Sequence, residues 1–104
     1  MTLYICGPMS GYPDFNYPAF DAMASLLKSK DYDVINPADI GRDLDSRSDS
    51  VSYEQYLKAS LAALLKCDGI VLLWGWEDSK GAFLERSIAI TLKMQILYDY
   101  QIVK

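Results

Sequence analysis

The chain contains no histidine, and that gap excludes more chemistry than any other feature of its 104 residues. Ser-His-Asp and Cys-His catalysis, imidazole acid–base chemistry and His-ligated metals all fall away. Proton transfer is left to carboxylates, tyrosines and lysines. Cysteine is scarce as well: Cys6 and Cys67 stand far apart, with neither zinc-type spacing nor a CxxC pair. Basic charge is in deficit, ten Lys and Arg against fourteen Asp and Glu, for a formal net charge of −4. The basic stripe that displaces counterions from nucleic acid is therefore missing. A small anionic ligand can still be held by local dipoles. No apolar run approaches the roughly 18 residues that span a bilayer. Met1-Thr2 runs into a strand-like stretch without the charged start of a signal peptide. The expectation is a reduced, cytosolic protein, engaging neither nucleic acid nor membrane, with no metal or cofactor signalled.

What is present is an ordered composition, 51% hydrophobic and 23% charged, in a length that suits one domain over residues 1–104. Strand-like and helix-like patterns alternate. Leu3-Tyr4-Ile5-Cys6 is a short apolar run stopped by Gly7-Pro8, as in a buried parallel strand. A helix starts at Asn16 or Tyr17 with Pro18 in its first turn, and Phe20, Met23, Ala24 and Leu27 line one face. Asp33 to Asn36 reads as a second strand. Residues 41–50, rich in Asp, Ser and Arg without a period, read as a flexible loop, or more sharply as a modified or ligand-clamping segment. Ser52-x-x-Gln55 is a capping box for a helix whose stripe is Leu57, Leu61, Leu64 and Leu65. Ile70 to Trp74 is the most apolar strand and belongs at the centre. After a loop over 75–81, a helix turns Leu84, Ile88 and Leu92 inward, and Ile96 to Tyr98 forms the last strand.

This alternation predicts an α/β fold: a three-layer, flavodoxin-like or Rossmann-like domain around a mainly parallel sheet of four to five strands. Ligands in such sheets bind beyond the carboxyl ends of the strands, where strand order reverses. Three segments are selected by that rule: Gly7-Pro8-Met9-Ser10-Gly11, Asn36 to Asp39, and Gly75 to Gly81. The first lacks both the GxGxxG and the Walker A pattern, and a tight strand-to-helix turn explains it equally. In the third, Ser79 and the backbone near Gly81 stand where a helix start can hold an anion, and Glu85 follows one turn on. Glu85 is then either a nucleophile facing that crevice or a simple balance to the helix dipole. Asp39 either binds a sugar hydroxyl or caps a turn. Trp76, with Tyr4, Tyr12, Tyr17 and Trp74, either stacks on a base or packs. Cys6 and Cys67 read as small buried hydrophobes that do not meet.

The strings Tyr4-Ile-Cys-Gly-Pro-Met-Ser-Gly11, Phe15-Asn-x-Pro-Ala-Phe20, Val34-Ile-Asn-Pro37 and Cys67-Asp-Gly-Ile-x-Leu-Leu-x-Gly-Trp76-Glu-x-Ser79-x-Gly-Ala-x-x-Glu85 resemble a family of small phage and bacterial proteins. That family is a domain of unknown function, similar to nucleoside 2-deoxyribosyltransferases and 2′-deoxynucleoside 5′-phosphate N-hydrolases. The resemblance implies cleavage or exchange of an N-glycosidic bond, on a deoxynucleoside or its monophosphate, by a retaining displacement. It implies Glu85 as the nucleophile, Tyr4 as the group holding its carboxylate and Ser79 as a phosphate ligand. Gly7, Pro8, Met9, Ser10 and Gly11 would wrap the sugar and phosphate, and a homo-oligomer is expected. Two positions depart from the pattern. Ser60 stands where the superfamily has its acid–base aspartate, and Ser10 where the hydrolases have an arginine. Either another residue supplies the missing acid, with Asp39, Glu77 and Asp78 as the nearby candidates, or catalysis is weak or lost. A module that binds a nucleotide-like molecule without turnover, and an interaction protein with an aromatic crevice, are the competing readings.

Overall fold

The computed structural model describes residues 1–47 and 52–103. The first strand, β1 (Thr2–Cys6), leads through a 3-10 turn at Pro13–Asn16 into helix α1 (Tyr17–Ser29). Then come β2 (Asp33–Ile35), α2 (Pro37–Arg47), α3 (Tyr53–Leu64) and β3 (Gly69–Leu72). A second 3-10 turn at Trp76–Asp78 precedes α4 (Lys80–Thr91), β4 (Gln95–Tyr98) and the short α5 (Asp99–Ile102). The four strands pair in the order β2-β1-β3-β4, and every pairing is parallel. The fold is α/β in the three-layer, flavodoxin-like arrangement. Strand order reverses between β1 and β3, because β1 continues to β2 on one side and the chain later returns to β3 on the other.

The pleat of β1 sorts its side chains into two cores. Leu3 and Ile5 point to one face, where they meet Phe20, Met23, Ala24 and Leu27 of α1, as the periodicity of that helix predicts. Tyr4 and Cys6 point to the other, where they meet Leu64 of α3 and Ala82 and Ala89 of α4. β3 is paired on both sides and fully buried, which accounts for its unbroken apolar run. The capping box of α3 forms in full, with Ser52 and Gln55 exchanging side-chain and backbone hydrogen bonds.

Four expectations need correction. Residues 41–47 are helical rather than a loop; residues 48–50 of that predicted loop lie outside the described residues. Tertiary ties explain the helix: Asn36 Oδ1 accepts from the Ala38 N–H at 3.0 Å, and Arg42 bridges Asp39 and Asp21 while lying over the Tyr17 ring. On α4, Leu84 and Leu92 are exposed, and Ala82, Glu85 and Ala89 face the sheet instead. Small alanines let the helix backbone approach the strands, so the large side chains turn outward. Leu65 is likewise exposed at the end of α3, while Ser60 takes a buried place on its inner face. Finally, β3 ends at Leu72, and Trp74 is 80% exposed beyond it.

Candidate functional site

A cavity of about 490 Å³ opens at the carboxyl ends of β1 and β3, at the reversal of strand order. Its size lies within the range of small-molecule sites. The loop after β1 supplies Gly7, Pro8, Met9 and Ser10; the start of α4 supplies Ser79, Gly81 and Ala82; Glu85 faces it from the next turn. Aromatic side chains complete it, among them Tyr12, Phe15, Tyr17, Tyr53 and Tyr56.

Glu85 is placed by two periodicities that coincide. On α4 it shares the inward face with Ala82 and Ala89, three and four residues away. On β1, Tyr4 and Cys6 are two residues apart and so point to that same face. The result is a carboxylate only 7% exposed, with the Tyr4 hydroxyl donating to Oε2 and the Cys6 thiol 3.5 Å from Oε1. Cys6 Sγ also lies 3.3 Å from the Ala82 carbonyl. Burial pushes the Glu85 carboxyl up to about 7, against the opposing pull of the hydrogen bonds from Tyr4 and Cys6. Tyr4 and Cys6 are pushed well up by burial first and by the Glu85 charge second, so both remain protonated donors. At neutral pH the site therefore holds a carboxyl group poised between its two forms.

The mouth is built by local geometry. Gly7 is needed where β1 ends against β3, because a Cβ there would meet Leu73 Cβ at 2.9 Å. Asp14, Phe15 and Asn16 take left-handed φ values of 52°, 53° and 62° in succession. Such a conformation costs roughly 1–2 kcal/mol per residue without glycine, and the Asn16 side chain helps to hold it by donating to the Pro8 carbonyl at 2.9 Å. Ser79 caps α4, its Oγ accepting from the Ala82 N–H at 3.2 Å. Gly81 falls inside the first turn of that helix rather than before it.

Not every residue singled out in the sequence reaches the cavity. Gly11, with φ +82°, is exposed in the turn beyond it. Asn36 and Asp39 lie past β2, outside the lining: Asn36 caps α2 and bonds Asp21, and Asp39 pairs with Arg42. Trp76 packs among Phe83, Tyr98 and the Arg86 guanidinium, whose carbon stands 4.7 Å from its ring centroid. Tyr12 and Tyr17 do line the cavity. Of the acids proposed as substitutes, Asp78 lines it, while Asp39 and Glu77 do not; Asp45, which was not among them, lines it as well.

Sequence reasoning missed two residues. Cys6 was expected as a plain hydrophobe, yet its thiol touches Glu85; the signal was its place two residues after Tyr4 on one strand face. Tyr56 lines the cavity and contacts Met9 Sδ at 3.0 Å through its hydroxyl; the signal was its position one helical turn before Ser60. Ser60 itself is completely buried, and its hydroxyl interacts with those of Tyr4 and Tyr56.

Among the described residues, no helix is long and apolar enough to cross a membrane, and no group of three or more Cys, Asp or Glu is arranged to hold a metal ion. No curated protein matches the chain. One family model does, over residues 1–98, and the chain accordingly belongs to the family described as Domain of unknown function (DUF4406).

Proposed function

We propose that this protein cleaves, or transfers the sugar from, the N-glycosidic bond of a deoxynucleoside or its 5′-monophosphate, with Glu85 as nucleophile. The observation that carries the reading is the buried Glu85 carboxylate at the cavity, gripped by Tyr4 and Cys6 between a glycine turn and a capped helix start. A Glu85 oxygen forms a bond to the anomeric carbon as the carbon–nitrogen bond breaks, and the electron pair leaves with the base. The base takes a proton from solvent. Water, or a second base, then displaces the carboxylate from the sugar; with water, its oxygen joins the anomeric carbon and its proton returns to solvent. The aromatic walls suit the flat base, and the free N–H groups at the start of α4 suit a 5′-phosphate. No cofactor is required for these steps.

A homo-oligomer fits the exposed apolar residues on the outer side of α4, Phe83, Leu84 and Ile90. One observation favours a different reading, capture of a nucleotide-like molecule without turnover: Ser60 is sealed from the cavity where the resemblance implies an acid.

The test is to incubate the protein with the four deoxynucleoside monophosphates and their nucleosides and to follow free base by chromatography. Base release whose kcat/KM rises with pH through about 7, as Glu85 ionises, supports the enzyme. Thermal stabilisation by a nucleotide with no base release supports the binding module.

A further inference from the structure

Under the N-glycosidase reading, the departing base needs a hydrogen-bond donor that the familiar position does not provide. Ser60 is 0% exposed and cannot touch a ligand. Asp45 and Asp78 line the cavity but are exposed carboxyl groups, and in ionised form they only accept hydrogen bonds. They would oppose negative charge building on a leaving base.

Tyr56 has the properties these groups lack. It stands on α3 one turn before Ser60, on the helix face turned to the site, and it lines the same cavity as Glu85. Its hydroxyl donates to the Met9 thioether at 3.0 Å. Thioether sulfur is a weak acceptor, so a ligand nitrogen or oxygen offers the phenol a stronger partner at little loss. Met9 belongs to the turn after β1 that also borders the cavity, which puts the exchange at the ligand's edge.

We propose that Tyr56 donates a hydrogen bond to the leaving base of the substrate, taking over the assistance that Ser60 cannot give. This rests on the N-glycosidase reading above. No proton is transferred in the step: as the carbon–nitrogen pair moves onto the base, the phenol O–H stabilises the growing charge, and solvent protonates the base after it departs. Burial raises the pKa of the phenol, which keeps it a neutral donor across the physiological range.

The experiment compares the wild-type chain and Tyr56→Phe on 2′-deoxyguanosine, its 5′-monophosphate, and the N7-methylated form of each. A methylated guanine is cationic before cleavage and leaves as a neutral base, so it needs no donor. Tyr56→Phe should lower kcat on the unmethylated substrates by about 10²-fold, the usual scale for losing one donor to developing charge. It should leave the methylated substrates unchanged, which also shows that the variant folds. Equal loss on both forms, no loss on either, or the same selective loss in Asp45→Asn or Asp78→Asn instead would overturn the assignment to Tyr56. If Tyr56→Phe lacks the wild-type circular dichroism, Tyr56→Leu carries the comparison under the same outcomes. No acceleration of base release over the protein-free rate by the wild type, from the methylated substrates or from any of the four deoxynucleoside monophosphates and their nucleosides, overturns the N-glycosidase reading and this assignment with it.

Discussion

At the scale of the residue, the buried Glu85 carboxyl group costs stability once it ionises. A carboxyl group raised from 4.5 to about 7 by burial binds a proton more tightly in the folded chain than in the unfolded one. The sign follows from linkage: the folded state holds more protons between those two values, so stability falls as pH rises through that window and stays lower above it. At about 1.4 kcal/mol per pKa unit, the loss at high pH is on the order of 3 kcal/mol. Glu85→Gln, which keeps the size and an acceptor for Tyr4, should therefore be more stable than the wild type at pH 8 and nearly equal to it at pH 5. Urea unfolding at the two pH values checks this. A variant no more stable at pH 8 would mean that Glu85 is not desolvated as its environment requires. Cys6 shows how a residue-scale feature hides in a sequence. Its type suggests a core filler, and only its position opposite Glu85 makes the thiol a partner.

At the scale of the element, strands were more legible than helix faces. β1 and β3 announce themselves by short apolar runs, and alternation along β1 already assigns Tyr4 and Cys6 to one side. α4 misleads because Leu84 and Leu92 complete a plausible apolar stripe with Ile88, yet only Ile88 packs half-buried against the core, and the buried residues of the helix are Ala82, Glu85 and Ala89. Side-chain size, rather than hydrophobicity, decides how closely that helix packs, and no single-residue scale records it. α2 was illegible for a different reason. Its half-buried Ile40 and Leu44 make a stripe of two, and more of its support comes from the buried Pro37 and Ala38, from the Asn36 cap, and from Asp21 and Tyr17 in α1. Close approach also governs β3. A Cβ on Gly69 would stand 2.8 Å from the Gln95 carbonyl oxygen and 3.1 Å from Leu3 Cδ2, with backbone on one side and core on the other. Gly69→Ala should destabilise the fold by about 1–3 kcal/mol, as overpacking does elsewhere. A lowered urea midpoint at unchanged slope would show it; an unchanged midpoint would mean that β3 and β4 can separate freely at that point.

At the scale of the whole molecule, the order β2-β1-β3-β4 determines where a site can form. The reversal between β1 and β3 brings the turn after β1 beside the start of α4, two of the three segments that the general rule selects. The third, after β2, lies on the outer side of β1 and serves α2 instead. Trp76 is drawn away by the same geometry, since its turn follows β3 on the side of β4 and Tyr98. The outer side of α4 leaves Ile90 47% exposed, and the proposed self-association predicts a solution mass above the 11.7 kDa of one chain. Ile90→Glu should lower that mass without unfolding the protein. Sedimentation equilibrium on both forms tests it, and a wild type that sediments at 11.7 kDa contradicts the association.

In the proposed reaction a Glu85 oxygen becomes bonded to the sugar. Rapid mixing with a deoxynucleoside monophosphate, an acid quench and peptide mass spectrometry read that bond directly. A single sugar adduct on Glu85 is expected, formed as base appears and absent from Glu85→Ala. Base released by Glu85→Ala at the wild-type rate would contradict it.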